Sequence, residues 1–246
     1  MALVETFEKE GNFLFKYRGQ FPMILFLIAI FFISSTDYLS ISEVNERIYT
    51  FISFFLSLLG FLIRFYTIGT TPKGTSGRNT KQQVADVLNS TGPYSMLRHP
   101  LYLGNYLIWI GIAAYTFNLL FVIIISLIFW IYYERIMFAE ERFLENKFGH
   151  EYLTWSRKVP AFIPRFSSFV LSKIPFSFVA VLRREYSGVL ACVIGFCFIE
   201  VLKNNKMEQE LYSEKMLCIL GITLSVSLVL RTLKRYTKLL NEENRS

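Results

Sequence analysis

Four ionisable side chains fall into two short stretches that the apolar runs of the chain bring to one place. The first stretch reads Thr91-Gly92-Pro93-Tyr94-Ser95-Met96-Leu97-Arg98-His99-Pro100-Leu101-Tyr102-Leu103-Gly104. Gly92-Pro93 is a turn, and Pro100 suits the first position of a helix, where its missing N–H costs nothing. Arg98 and His99 then stand at a helix N-terminus, beside free backbone N–H groups, a place that favours an anion such as a carboxylate. The second stretch is Glu140-Glu141-Arg142-Phe143-Leu144, followed by Phe148-Gly149-His150-Glu151-Tyr152 and Val159-Pro160. Adjacent carboxylates near a helix C-terminus oppose the helix dipole and call for a nearby cation or donor. Taken alone, Arg98-His99-Pro100 reads equally as an interfacial anchor, and Glu140-Glu141 as a solvated helix end. Their meaning depends on whether they meet.

The elements that decide this are membrane helices. Of the 246 residues 53% are hydrophobic and 17% aromatic, and only 18% are charged, against about 25% in an ordinary soluble domain. A spanning helix needs about 20 mostly apolar residues. Six segments qualify: 20–36, 48–68, 101–117, 119–138, 186–202 and 215–233. The third and fourth are separated only by the corner at Thr116–Asn118, so they form an antiparallel hairpin that returns Glu140 to the face carrying Arg98 and His99. The expected fold is therefore an all-α polytopic bundle with a pocket at one face. Three parts follow: 1–69 with two helices, 70–165 with the hairpin and both polar stretches, and 166–246 with two more.

Placing the N-terminus in the cytoplasm puts 22 of the 26 Lys and Arg on that side, as the positive-inside rule requires. Both termini and the pocket are then expected to be cytoplasmic. The net charge of +7 is spread between apolar runs, which points to anionic lipid headgroups and away from nucleic acid. Cys192, Cys197 and Cys218 sit in apolar runs with no disulfide or metal spacing, and two histidines make a multi-histidine metal site unexpected. No cleavable signal peptide is expected at the N-terminus. Of the polar segments, 80–89 is expected as a short helix, and 140–148 as a continuation of the fourth span beyond the membrane. Pro160, Pro164 and Pro175 mark an interfacial stretch rich in Phe.

Gly-Pro-Tyr-x-x-x-Arg-His-Pro-x-Tyr-x-Gly, a hairpin, Glu-Glu, then Phe-Gly-x-x-Tyr and Val-Pro resembles the isoprenylcysteine carboxyl methyltransferase and phospholipid methyltransferase superfamily. The resemblance spans roughly 79–164. It implies an S-adenosylmethionine-dependent enzyme that methylates a lipid or lipid-linked acceptor. By that resemblance His99, Pro100, Leu101 and Tyr102 wrap the cofactor, with Tyr94 and Glu140 also in contact. Asp86, Val87, Leu88 and Asn89 stand where a further contacting stretch lies, and Asn79 where the family uses an amide. Arg98, Glu140 and Glu141 are the implied catalytic groups.

One position departs from the pattern. The carboxyl methyltransferases have an arginine four residues before the first Glu, where it engages the acceptor carboxylate. Here Ile136 stands there with Arg135 beside it, about 100° round the helix. Arg135 and Arg78 are the expected acceptor-binding cations. The run Thr70-Thr71-Pro72-Lys73-Gly74-Thr75-Ser76-Gly77-Arg78-Asn79-Thr80-Lys81 offers hydroxyls, glycine N–H groups and three cations suited to a phosphate. The acceptor thus stands open between a prenylcysteine carboxylate and a lipid phosphate such as that of lipid A. Two other functions share these features: a sterol-type nicotinamide-dependent reductase, whose motif is related, and a non-enzymatic scaffold or transporter. Two helices ahead of the motif are few for the reductase, and no mid-membrane charge favours transport.

Overall fold

The computed structural model of the protein describes residues 2–72, 74 and 83–242. Most of the polar run, with Arg78 and Asn79, lies outside them, as do 80–82 of the expected short helix. Residues 83–89 are described and are not helical. That expectation is corrected: Ala85 is buried while its neighbours face outward, and the segment runs as an extended strap over the polar end of the bundle.

The described residues form eight α-helices, two short 3-10 turns (Pro93–Ser95 and Phe166–Ser168) and no strands beyond an isolated bridge between Gly92 and Val170: α1 (Leu3–Tyr17), α2 (Phe21–Ser35), α3 (Glu43–Gly69), α4 (Pro100–Ala114), α5 (Leu119–Phe148), α6 (His150–Ser156), α7 (Phe178–Lys206) and α8 (Glu214–Tyr236). α3, α5, α7 and α8 are long and apolar enough to cross a membrane, and α2 and α4 are shorter apolar helices. These are the six expected spans, and the protein is an all-α multi-pass membrane bundle. Each long helix starts on a side-chain cap: Ser42, Asn118, Ser177 and Ser213 accept from the amides of Asn45, Phe121, Ala180 and Met216. Such caps satisfy amides that a helix leaves unpaired in its first turn.

α3 and α4 pack closely through their glycines. A Cβ on Gly104 would come within 2.9 Å of the Gly60 carbonyl oxygen and 2.5 Å of Arg64 Cγ. Where lipid is as apolar as the helix faces, small residues of this kind let backbones approach and pack. The corner between α4 and α5 is tight. Phe117 sits at a φ of 58°, and Lys203 Nζ lies 3.3 Å from the centre of its ring. Tyr38 donates to the Thr116 carbonyl at 2.9 Å, and Lys206 reaches the Thr36 carbonyl at 2.6 Å. These contacts define one end of the bundle.

The opposite end gathers the close of α3, the start of α4, the close of α5 and the start of α7. The Ser177 amide donates to the Gly69 carbonyl at 2.9 Å. α5 continues to Phe148, as the sequence suggested; its 30 residues extend about 45 Å at 1.5 Å per residue, beyond a hydrocarbon core of about 30 Å. α1 is an element the sequence reading did not foresee. It lies along this projecting part of α5, with Gly11 against the Arg135 backbone and Ala139, and Tyr132 donating to the Leu14 carbonyl at 3.0 Å. The end of the described chain returns here too, where Arg183 donates to the Leu240 carbonyl at 3.1 Å. Both chain ends therefore lie at the end of the bundle that carries the polar stretches.

Candidate functional site

The start of α4 is held from outside its own helix. The amides of Arg98 and His99 donate to the carbonyls of Pro160 and Ala161 at 2.9 and 3.2 Å, and those of Tyr102 and Leu103 to the His99 carbonyl. The expectation of free N–H groups beside Arg98 and His99 is corrected by these bonds. What the helix start presents is side chains: Pro100 occupies its first position and His99 stands just before it.

Those side chains meet α5. His99 Nε2 lies 2.8 Å from Glu141 Oε1, and its Nδ1 lies 3.6 Å from Glu140 Oε2. Arg98 Nη1 donates to Glu141 Oε2 at 2.6 Å, and Tyr102 donates its hydroxyl to Glu140 Oε1 at 2.7 Å. The hairpin thus joins residues about forty positions apart: Glu141 is held by two donors, and Glu140 by the Tyr102 hydroxyl with the His99 ring close by. His99 is only 6% exposed. Burial disfavours its imidazolium, but hydrogen bonds and charge from Glu140 and Glu141 outweigh that, and the ring's pKa is raised above its ordinary value. Arg98 keeps a buried Nε that has no hydrogen-bond partner among the described residues, a donor left desolvated and available to a ligand.

Beside this cluster is a cavity of about 310 Å³, at the small end of the range of about 300–1,000 Å³ usual for ligand pockets. Arg98, His99, Pro100, Leu101, Tyr102 and Glu140 line it. Tyr94, Val87, Leu88 and Asn89 close it from the strap and the turn before α4. Glu141 does not; it faces Arg98 and His99 behind the wall. Asp86 is exposed and binds the Gly74 carbonyl through its amide at 2.8 Å. Arg135 is turned away, with Nε 3.3 Å from Glu10 Oε2 and its guanidinium 3.5 Å over the Phe7 ring, while Ile136 beside it is fully buried.

Several lining groups were not anticipated. α1 contributes Phe15 with Arg18 just beyond its end, and α7 contributes Arg184 and Glu185. Glu185 grips Arg64 of α3 through two bonds of 2.7 Å. Arg64 also donates to Asn105 of α4, whose side-chain amide donates to the Tyr133 hydroxyl at 3.2 Å. The cavity therefore has two polar poles, one at His99 and Glu140 and one at Arg64 and Glu185. Apolar side chains such as Ile68, Phe143 and Leu144 fill the remaining wall. An ion pair between residues 121 apart leaves no local pattern, whereas α1 had one: Phe7, Gly11, Phe15 and Arg18 recur at helical spacing.

Carboxylate, imidazole and phenol on one side of a half-open, partly aromatic space suit a ligand with a cationic or polyhydroxyl part and a flat ring. Glu140 can balance a positive charge, and Tyr94 and Trp155 offer rings to stack against.

The phospholipid methyltransferase family model matches residues 48–151, which span α3 to the start of α6. Nickel-cobalt-cadmium resistance protein NccN of Alcaligenes xylosoxydans xylosoxydans is 37% identical over 38% of this chain and 41% of its own length. Cobalt-zinc-cadmium resistance protein CzcN of Cupriavidus metallidurans is 39% identical over 33% of this chain and 38% of its own. Protein-S-isoprenylcysteine O-methyltransferase of Schizosaccharomyces pombe is 28% identical over 44% of this chain and 48% of its own. The chain spans less than half the length of these curated relatives. No solved structure matches.

Proposed function

We infer, from the match of residues 48–151 to the phospholipid methyltransferase family model and the likeness to isoprenylcysteine methyltransferases, that this chain is an integral membrane methyltransferase acting on a lipid or lipid-linked acceptor. The reading takes S-adenosylmethionine as methyl donor, bound in the cavity at the start of α4. The observation that carries it is the Glu140 carboxylate, which lines the cavity while held by the Tyr102 hydroxyl at 2.7 Å and facing His99 at 3.6 Å.

In this reading His99, Pro100, Leu101 and Tyr102 form the bend around the donor, and Glu140 balances its positive charge. Tyr94 and the strap residues Val87, Leu88 and Asn89 cover it. Glu141 is a positioning residue, because it acts on the cavity through Arg98 and His99. Arg98 directs its unpartnered Nε toward an anion, either the donor's carboxylate or the acceptor. The donor supplies a methyl group already activated as a sulfonium, so the residues need chiefly to align the two reactants and exclude water, an effect that can contribute much of the rate. The acceptor is either a prenylcysteine carboxylate or a lipid phosphate. The charge bias of the loops supports a cytoplasmic site, with both termini on that side.

Calorimetry on the purified protein tests the reading. S-adenosylmethionine should bind, and Glu140→Ala and His99→Ala should each weaken it by at least tenfold, since a charged partner contributes about 1.5–3 kcal/mol. His150→Ala, on α6 away from the cavity wall, should leave binding unchanged. Binding of a nicotinamide cofactor instead would replace the reading with that of a reductase. A labelled-methyl assay on total membrane lipid extract would then identify the acceptor.

A further inference from the structure

We propose that the connection between α6 and α7, residues 157–178, seats on the anionic surface of the bilayer, and that this seating holds the turn before α4, so that lipid charge regulates the cavity. The regulation rests on the methyl-transfer reading only for the ligand that responds to it; the seating and its hold on the turn do not.

The connection is built inside out. Its inward positions are serines: Ser168 Oγ donates to the Ser95 carbonyl at 2.8 Å, Ser172 Oγ to the Thr70 carbonyl at 3.3 Å, and the Ser177 amide to the Gly69 carbonyl at 2.9 Å. Its outward positions carry large apolar side chains, and Ile163, Phe166, Leu171 and Phe178 are each between 74% and 79% exposed. A loop in water would reverse this pattern, because apolar surface left in water forfeits the free energy of burial. Arg157, Lys158, Arg165 and Lys173 are exposed among them, and no Asp or Glu lies between 157 and 178. Apolar side chains interleaved with Lys and Arg suit the boundary of headgroups and acyl chains, and each cation adds attraction to anionic lipid. The level fits as well. Ser172 and Ser177 bond to the residues that close α3, where its apolar run of 48–68 ends, so the connection lies at the rim of a span.

The same backbone fixes one wall of the cavity. The Gly92 amide donates to the Val170 carbonyl at 2.8 Å, the Val170 amide to Ser95 Oγ at 2.8 Å, and the Arg165 amide to the Met96 carbonyl at 2.9 Å. With the bonds from the Arg98 and His99 amides to Pro160 and Ala161, these tie 92–99 to the connection. Tyr94, Arg98 and His99 of that turn line the cavity. From 163 to 176 the connection has no buried residue of its own. A segment with so few buried contacts opens at little cost, and a surface that binds only its seated form draws the equilibrium toward that form. The bilayer thereby supplies the stability that the packing of the connection lacks, and the turn receives it through these bonds.

The test uses the full chain in nanodiscs of phosphatidylcholine, alone or mixed with phosphatidylglycerol. The fluorescence added by Phe166→Trp reads seating through quenching by lipid brominated high on the acyl chain. Hydrogen exchange across 92–99 reads the turn, and calorimetry with S-adenosylmethionine reads the cavity. The new indole should be quenched, and phosphatidylglycerol should deepen the quenching, slow exchange across 92–99 and tighten donor binding by about fivefold or more, the scale of a modest coupling between sites. Phe166→Ser with Leu171→Ser should return exchange and donor affinity to their values in neutral discs. Lys158→Gln with Lys173→Gln should do the same through charge alone, so either pair decides if the other fails to fold. Lys215→Gln, exposed at the opposite end of the bundle, should keep the full response. An indole that lipid does not quench would overturn the proposal, and two chains per disc by native mass would then identify a second copy as the cover. Exchange across 92–99 that ignores phosphatidylglycerol would overturn it too. Failure of S-adenosylmethionine to bind in any disc would instead remove the methyl-transfer reading, with quenching and exchange still deciding the seating.

Discussion

Glu141 Oε1 lies 2.8 Å from His99 Nε2, joining the projecting end of α5 to the residue that precedes α4. Since Glu141 also holds Arg98 at 2.6 Å, one carboxylate behind the cavity wall fixes two side chains that face into it. Glu141→Gln keeps the size and removes the charge. Leaving two partly buried cations short of a partner costs about 1–3 kcal/mol. The variant should melt at a lower temperature and bind the donor more weakly, while Glu145→Gln, whose partner is Arg142 outside the cavity, should do neither. Donor affinity unchanged in Glu141→Gln would show that the pair is structural only.

The same contact sets a pH dependence. The folded protein holds the His99 pKa above the ordinary value of about 6.5, through Glu140 and Glu141 acting against burial. Arg98 faces the cluster as well and opposes the imidazolium, and Tyr102 is a neutral donor to Glu140. A raised folded pKa stabilises the fold fully below the unfolded value, and that contribution is lost as pH rises through the folded value. The melting temperature of the wild type relative to His99→Gln should therefore be greatest in mildly acidic buffer and shrink as pH climbs past neutrality. A difference that grows with pH would contradict the raised direction.

Packing between α3 and α4 gives a third expectation. Gly104 faces Gly60 and the stem of Arg64, so any added side chain must push the helices apart. Gly104→Leu should destabilise by about 1–3 kcal/mol, the usual cost of overpacking, and should disturb the Arg64 contact on the same face. Gly221→Ala on α8, with nothing within 4 Å of the new Cβ, serves as the control and should stabilise slightly, by about 0.5–1 kcal/mol, because Ala favours a helix over Gly. Thermal unfolding in detergent reads both. Equal melting temperatures would mean that the two helices separate freely.

Much of this arrangement was legible in the sequence, for identifiable reasons. Long apolar runs mark membrane helices because lipid leaves the backbone no partner but itself, and a three-residue corner leaves a hairpin no choice of direction. That is why His99 and Glu140 could be brought together from spacing alone. The groups that were missed share a different origin. Arg64 and Glu185 are separated by three helices and a strap, and nothing local distinguishes either from an ordinary interfacial charge. α1 is short and half polar, so its role appears only once Phe15 and Arg18 are seen against α5 and the cavity. The strap at 83–89 has helix-forming residues, but Ala85 is its only buried one; its path is set by the elements it crosses.

The pair of Arg64 and Glu185 yields the last prediction. The Glu185 side chain is 3% exposed and that of Arg64 18% exposed, and the two share a bidentate contact of 2.7 Å between α3 and α7. Removing one member leaves a charge in a poorly hydrated place, which costs about 3–5 kcal/mol, whereas replacing both with neutral groups of similar volume can be close to neutral. Glu185→Gln and Arg64→Met should each lower the melting temperature strongly. Arg64→Met is the less severe of the two only if Arg184 turns toward the abandoned carboxylate. The double variant should recover a large part of either loss, giving a coupling energy of more than about 1 kcal/mol in a double-mutant cycle. Losses that simply add would mean that the ion pair does not hold α7 against α3, and that packing between the helices alone does.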